Sequence, residues 1–247
     1  MTPRLGRAHI ECAIAFERSR AERGDDLPRE GESWFDVRHG SGTVLVTAPH
    51  AMCAVRNGAI RPEDPGTGWL ADALHTYTGV DAIMVTRTSP SDPNYYDDNA
   101  FKVAVAHHLQ TRPISLVLDL HTAKSHRPFE LDIGTMHGES VLGNTALVPT
   151  LVARLQKRGL SNFSDNFFPA RKNQTITKWV SRRGVPCLQL EFNVSWLSIG
   201  RSPLGDLRAI RVLQGIADFI HDTKRGLVVN AVERAGVVRN PNTRDQQ

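Results

Sequence analysis

The sequence predicts a single α/β domain with an open, largely parallel sheet and helices on both faces. Three observations lead there. Short, near-continuously apolar runs such as residues 43–48 and 114–120 alternate with stretches of helical composition; strands of a sheet covered on both faces read this way. A length of 247 residues suits one sizeable α/β domain. Hydrophobic residues make up 40 % and charged residues 23 % of the chain, which is enough apolar material for a packed core and too little charge for a disordered segment.

The elements follow in order. Residues 9–23 carry Ile10, Ile14 and Phe16 among charges and read as an amphipathic helix laid against the domain, ended by Gly24-Asp25-Asp26. Residues 43–48 form a first main strand. The preceding Gly40-Ser41-Gly42 reads as a hairpin turn, with residues 33–37 as partner strand. Residues 69–77 are helical and stop at Gly79; residues 81–86 are the second strand. A helix over 101–109 closes at Pro113, and 114–120 is a strongly apolar third strand. Residues 131–136 are a fourth strand, 148–155 a helix ending at Gly159, and 175–183 a helix ending at Gly184. Residues 185–192 are the fifth strand and 207–222 a long closing helix. The organisation is an N-terminal helix in 1–30, the α/β domain in 31–239 and a polar tail in 240–247.

Composition excludes several classes. The formal charge of +4 is mild, and the Lys and Arg residues are scattered rather than gathered into a stripe, so no nucleic acid is expected as a partner. Pairs such as Arg171-Lys172 and Arg182-Arg183 read as solvated or substrate-facing charge. Cys12, Cys53 and Cys187 are odd in number and have no metal-finger spacing, so a disulfide framework is not expected. No run of about 18 apolar residues suggests a membrane span, and Glu11, Glu17 and Arg18 interrupt any signal-peptide core; the cytoplasm is the expected location.

In sheets of this kind reactive residues gather at the carboxyl ends of strands. One run ends in Ala48-Pro49-His50, another in Asp119-Leu120-His121, a third in Gln189-Leu190-Glu191. Two histidines and a carboxylate at one end of a sheet suit metal-assisted hydrolysis. A catalytic zinc takes three His or carboxylate ligands and keeps one position open. His50 and His121 supply two ligands. Glu63 and Asp64, in the loop before the second helix, are candidates for the third, and Cys53 is a further alternative. Glu191 is left as general base. Asp119, two residues before His121, lies on the same strand face and reads either as an orienting partner or as a backbone-bonded strand-end residue.

The segments Val46-Thr47-Ala48-Pro49-His50, residues 64–70, Leu118-Asp119-Leu120-His121 and Gln189-Leu190-Glu191-Phe192-Asn193 together resemble the N-formylglutamate amidohydrolase family, a branch of the zinc carboxypeptidase and aspartoacylase group. The resemblance spans about 44–197. It implies a mixed, mostly parallel sheet of the zinc carboxypeptidase-like (phosphorylase/hydrolase-like) kind, one Zn2+, and hydrolysis of an amide or formamide on an amino-acid-type substrate. It also implies His50, Asp64 and His121 as metal ligands and Glu191 as base and proton shuttle. Two positions depart from the family pattern. Cys53 stands where the group usually has a Glu three residues after its first His. The segment Asp92-Pro93-Asn94-Tyr95 keeps an Asn but lacks the Arg that usually adjoins it.

A substrate carboxylate calls for cationic or amide donors. Arg171, Asn94, Arg87 and Arg56 are the candidates, with Tyr95 and Tyr96 as possible walls. The tryptophans read as packing residues, and His107-His108 as a solvent-facing pair on a helix. The expected partner is a small molecule or short peptide bearing a carboxylate. A metallo-peptidase, or a non-catalytic binding module on the same fold, is the alternative.

Overall fold

The computed structural model describes residues 4–22 and 26–224; the expected polar tail and the domain boundary at 239 lie outside them. The chain runs α1 (Arg7–Glu22), β1 (Phe35–Arg38), β2 (Val44–Ala48), β3 (Ala54–Arg56), β4 (Ala59–Arg61), α2 (Thr67–Thr78), β5 (Asp81–Val85) and α3 (Ala100–Thr111). It continues through β6 (Leu116–Ala123), β7 (Leu131–Gly134), α4 (Leu147–Gln156), β8 (Phe163–Asp165), α5 (Ile176–Ser181), β9 (Cys187–Asn193) and α6 (Pro203–Lys224).

Among the described residues, seven strands form one mixed sheet in the order β1-β5-β2-β6-β9-β7-β8. The centre, β5-β2-β6-β9, is parallel; β1 and β7 join antiparallel, and β8 runs parallel to β7. Strand alternation divides the core between the two faces. Val44, Val46, Leu118 and Leu190 point toward α2, α4 and α6, where Leu70, Leu151 and Leu213 meet them. Leu45, Ile83, Val117 and Cys187 point the other way, against Phe101 and Val105 of α3 and Ile176 and Val180 of α5.

One sequence expectation fails at the first turn. β1 does not pair with β2; it pairs antiparallel with β5, Phe35 opposite Val85 and Arg38 opposite Ala82. Gly40-Ser41-Gly42 is therefore a crossing over the start of β5, not a hairpin turn. Ser41 N–H donates to Gly79 O at 2.9 Å. A Cβ on Gly40 would collide with the backbone of Gly79 and Val80, so glycine here serves a close approach of two backbones. The hairpin that does exist is β3–β4, unanticipated, turning at Asn57 (φ 52°) and Gly58 (φ 75°); both residues need the positive φ that Asn-Gly tolerates best.

Candidate metal centre

β2 and β6 are parallel neighbours, so their carboxyl ends lie side by side. His50 follows β2 directly, and His121 is the sixth residue of β6. The rings approach edge to face with centroids 5.1 Å apart, and both are buried. The loop between β4 and α2 folds back beneath them: Asp64 N–H donates to His50 O at 2.7 Å, and Thr67 Oγ1 donates to Asp64 O at 2.9 Å. That tether turns the Asp64 carboxylate inward, where Oδ2 lies 2.7 Å from His121 Nδ1 and 3.4 Å from His50 Nδ1. Glu63, the neighbouring candidate, turns the other way and pairs with Arg20 of α1 at 2.6 Å. Cys53 belongs to neither group of metal-capable side chains among the described residues, and its backbone carbonyl accepts from Ser89 N–H at 2.8 Å.

Each histidine is oriented from behind. His50 Nε2 meets Asp92 Oδ1 at 2.8 Å, and Arg56 caps the other Asp92 oxygen through Nε at 2.9 Å and Nη2 at 2.6 Å. With its Nε2 proton committed to Asp92, His50 presents a bare Nδ1 to the site, and that atom is buried without a hydrogen-bond partner among the described residues. His121 Nε2 faces Asp119 Oδ2 at 3.3 Å and the Asn94 amide nitrogen at 2.9 Å. Asp119 is held in turn by Thr47 Oγ1, which donates at 2.8 Å. A carboxylate behind each imidazole is the arrangement that fixes ring tautomer around bound metals.

The charges fit a cation. Burial opposes ionisation of Asp64, yet the hydrogen bond to His121 and the nearness of the His50 imidazole hold its carboxyl well below the ordinary carboxylate range. Burial likewise opposes a charged His121, but Asp119 and Asp64 outweigh it and push the imidazole well above its usual value. A proton between His121 Nδ1 and Asp64 Oδ2 thus stands where a cation would stand. The orphaned His50 Nδ1 supplies a further free donor, and a His-Asp-His set suits a divalent ion of the zinc type.

Glu191 lies directly across from His121 in the β6–β9 register. Burial pushes its carboxyl up to about 7; the neighbouring Asp64 and Asp132 add to this, while His121 and Arg61 oppose it. Gln189 Nε2 donates to Glu191 Oε1 at 3.2 Å.

His50, Asn94, His121 and Glu191 line a cavity of about 360 Å³. Its walls carry Arg56, Arg61, Lys124, Arg127, Arg171 and Lys172. Of the expected substrate contacts, Arg56 and Arg171 are at the cavity, Arg56 tied to Asp92 and Arg171 to Glu139 at 2.7 Å. Asn94 lines it too, but both ends of its amide are engaged, with His121 and with Ile176 N–H at 2.7 Å. Arg87 is not brought to the cavity: it turns to Glu32 at 3.4 Å. Tyr95 and Tyr96 pack on the β3–β4 hairpin instead, through Arg56 and Asn57. Arg61, Lys124 and Arg127 had no distinguishing sequence signal; Asp92 stands in the Asp92-Pro93-Asn94 segment but has no role assigned there, and its N–H bonds to Val55 O at 3.1 Å where the loop crosses to His50.

No protein-family model matches the sequence, and no curated protein matches it by sequence. Among solved structures, an N-formylglutamate amidohydrolase from Ralstonia eutropha JMP134 is similar with a TM-score of 0.50 and 14 % identity, covering 78 % of this chain and all (100 %) of that one. A gene product from Agrobacterium tumefaciens gives 0.51 and 15 %, covering 84 % and 99 %. A protein inferred to be a carboxypeptidase from Burkholderia mallei ATCC 23344 gives 0.50 and 14 %, covering 85 % and 67 %. The chain has the zinc carboxypeptidase-like fold that these structures share.

Proposed function

We propose that this chain is a zinc-dependent amidohydrolase that cleaves an N-formyl, N-acyl or peptide bond of an amino-acid-type substrate bearing a carboxylate. The observation that carries the reading is the convergence of a bare His50 Nδ1, Asp64 Oδ2 and His121 Nδ1 beside Glu191, a partly buried carboxyl pushed up to about 7. His50, Asp64 and His121 would hold the ion. When bound, it would supply Lewis-acid polarisation of the scissile carbonyl and lower the pKa of water in the site.

The chain's own residues do the rest. A carboxyl near pH 7 both takes and returns protons readily. Glu191 accepts a proton from the attacking water and delivers it to the leaving amine. Lys124, Arg127 and Lys172 line the cavity and make no ion pair with an acidic side chain among the described residues, so they are the cations available to a substrate carboxylate. Arg171 joins them if its exposed pair with Glu139 opens, since such pairs are worth little. The Ralstonia protein's description as an N-formylglutamate amidohydrolase fits the same chemistry.

The test is a screen of N-formyl and N-acetyl amino acids and short acidic peptides with the zinc-loaded chain. Turnover of acylated acidic amino acids that is lost on chelation and restored by zinc is the expected result. Turnover confined to peptides would make the chain a metallo-peptidase. Zinc binding without any turnover would make it a binding module.

A further inference from the structure

A second group of metal-capable side chains lies at the opposite end of the sheet. His39 follows β1, Asp81 opens β5 and His108 sits in the last turn of α3. One donor atom from each lies within 4.8 Å of the others. β2 and β5 are parallel, with Ala48 opposite Met84 and Leu45 opposite Asp81, so Asp81 marks the end of the sheet remote from His50.

His108 contradicts the expectation of a solvent-facing pair. His107 is exposed, but His108 is 2 % exposed, and its Nε2 is buried without a hydrogen-bond partner among the described residues. An imidazole nitrogen left unsatisfied in a core is destabilising unless a ligand satisfies it. The His39 ring stacks on His108 with centroids 5.1 Å apart and planes 12° apart. His39 is exposed, so its ring can adjust toward a shared ligand. The Asp81 carboxylate is fully buried and accepts from Gly40 N–H, Arg112 Nε and Arg112 Nη2. A carboxylate offers roughly four lone-pair positions, which leaves one.

We propose that His39, Asp81 and His108 form a second binding site for a divalent transition-metal ion. Two imidazoles and a carboxylate suit zinc, copper or nickel and disfavour the hard ions magnesium and calcium. An ion here ties the crossing segment after β1 to β5 and α3, and so secures the edge of the sheet. It plays no part in the chemistry around Glu191.

The full-length chain, stripped of metal, is titrated with zinc beside His39→Ala, a change at an exposed position. The expected result is one zinc fewer per chain in His39→Ala, with an unchanged circular dichroism spectrum. An equal zinc count in the two proteins overturns the proposal. Loading both with copper gives an independent reading. The difference between their electron paramagnetic resonance spectra should carry hyperfine structure from two imidazole nitrogens; a single nitrogen would mean His39 binds alone and would equally overturn it.

Discussion

At the scale of residues, the candidate metal centre is a set of paired roles: three side chains converge and two carboxylates aim the rings. The aiming residues make the sharper test. Asp92→Asn and Asp119→Asn leave His50, Asp64 and His121 intact but replace the charged carboxylate behind each imidazole with a neutral amide. Loss of such a partner lowers metal affinity by roughly 10–100-fold, and zinc competition titrations should show it. The His121 ring adds a pH dependence. Its Nδ1 shares a proton with Asp64, and the imidazole is held well above its ordinary value. Zinc must displace that proton, so its affinity should rise with pH across the neutral range, with proton release measurable by calorimetry in buffers of different ionisation heat. Asp92 gives a separate signature in folding. Burial opposes its charge, but His50, Arg56 and the Asn94 N–H hold its carboxyl below the usual 3.8. A depressed carboxyl contributes stability above its unfolded value that is lost as pH falls through the folded one. Below about pH 4 the metal-free chain should lose unfolding free energy more steeply than its Asp92→Asn variant.

At the scale of elements, parallel strands put the site together and helices secure it. β2, β6 and β9 are buried on both faces, so each reads in sequence as an apolar run ending in a polar group. That is why their ends, His50, His121 and Glu191, were legible. Leu118 of β6 lies fully buried in the larger core cluster; Leu118→Ala should cost about 2–5 kcal/mol in denaturant unfolding. The partner of β1 was not legible, because antiparallel pairing with β5 depends on a crossing at Gly40 that no local pattern encodes. The β3–β4 hairpin did carry a local signal in Asn57-Gly58, but its strands of three residues are too short to show alternation. The role of Asp92 was illegible for another reason: its segment stands out in the sequence, but it acts from an irregular loop, where spacing along the chain says nothing of direction. The Asp64 loop depends on α1. Arg20 donates to Ala51 O at 2.7 Å and pairs with Glu17 and Glu63. Arg20→Ala should weaken zinc binding while leaving the ligands in place; Arg20→Lys, which keeps the charge without the fork, should recover only part of it.

At the scale of the whole molecule, the sheet has two chemically different ends. The carboxyl end holds buried acids and histidines under a rim of cations; the amino end holds the stacked His39 and His108 beside Asp81. No described helix is long and apolar enough to cross a membrane. On the proposed function, the rim would hold the substrate carboxylate. Arg127→Ala and Lys172→Ala should raise KM for acylated acidic amino acids with little change in kcat, because a cation that binds substrate and transition state alike contributes uniform binding. The most direct test of the central claim is the hydrolysis rate of an N-acylated acidic amino acid by Glu191→Gln, measured at matched zinc content. A fall of about 10²–10⁴-fold with zinc still bound at the level of the unmodified chain is the predicted result. A retained rate would contradict Glu191 as the proton carrier and, with it, the assignment of this cavity as the active site.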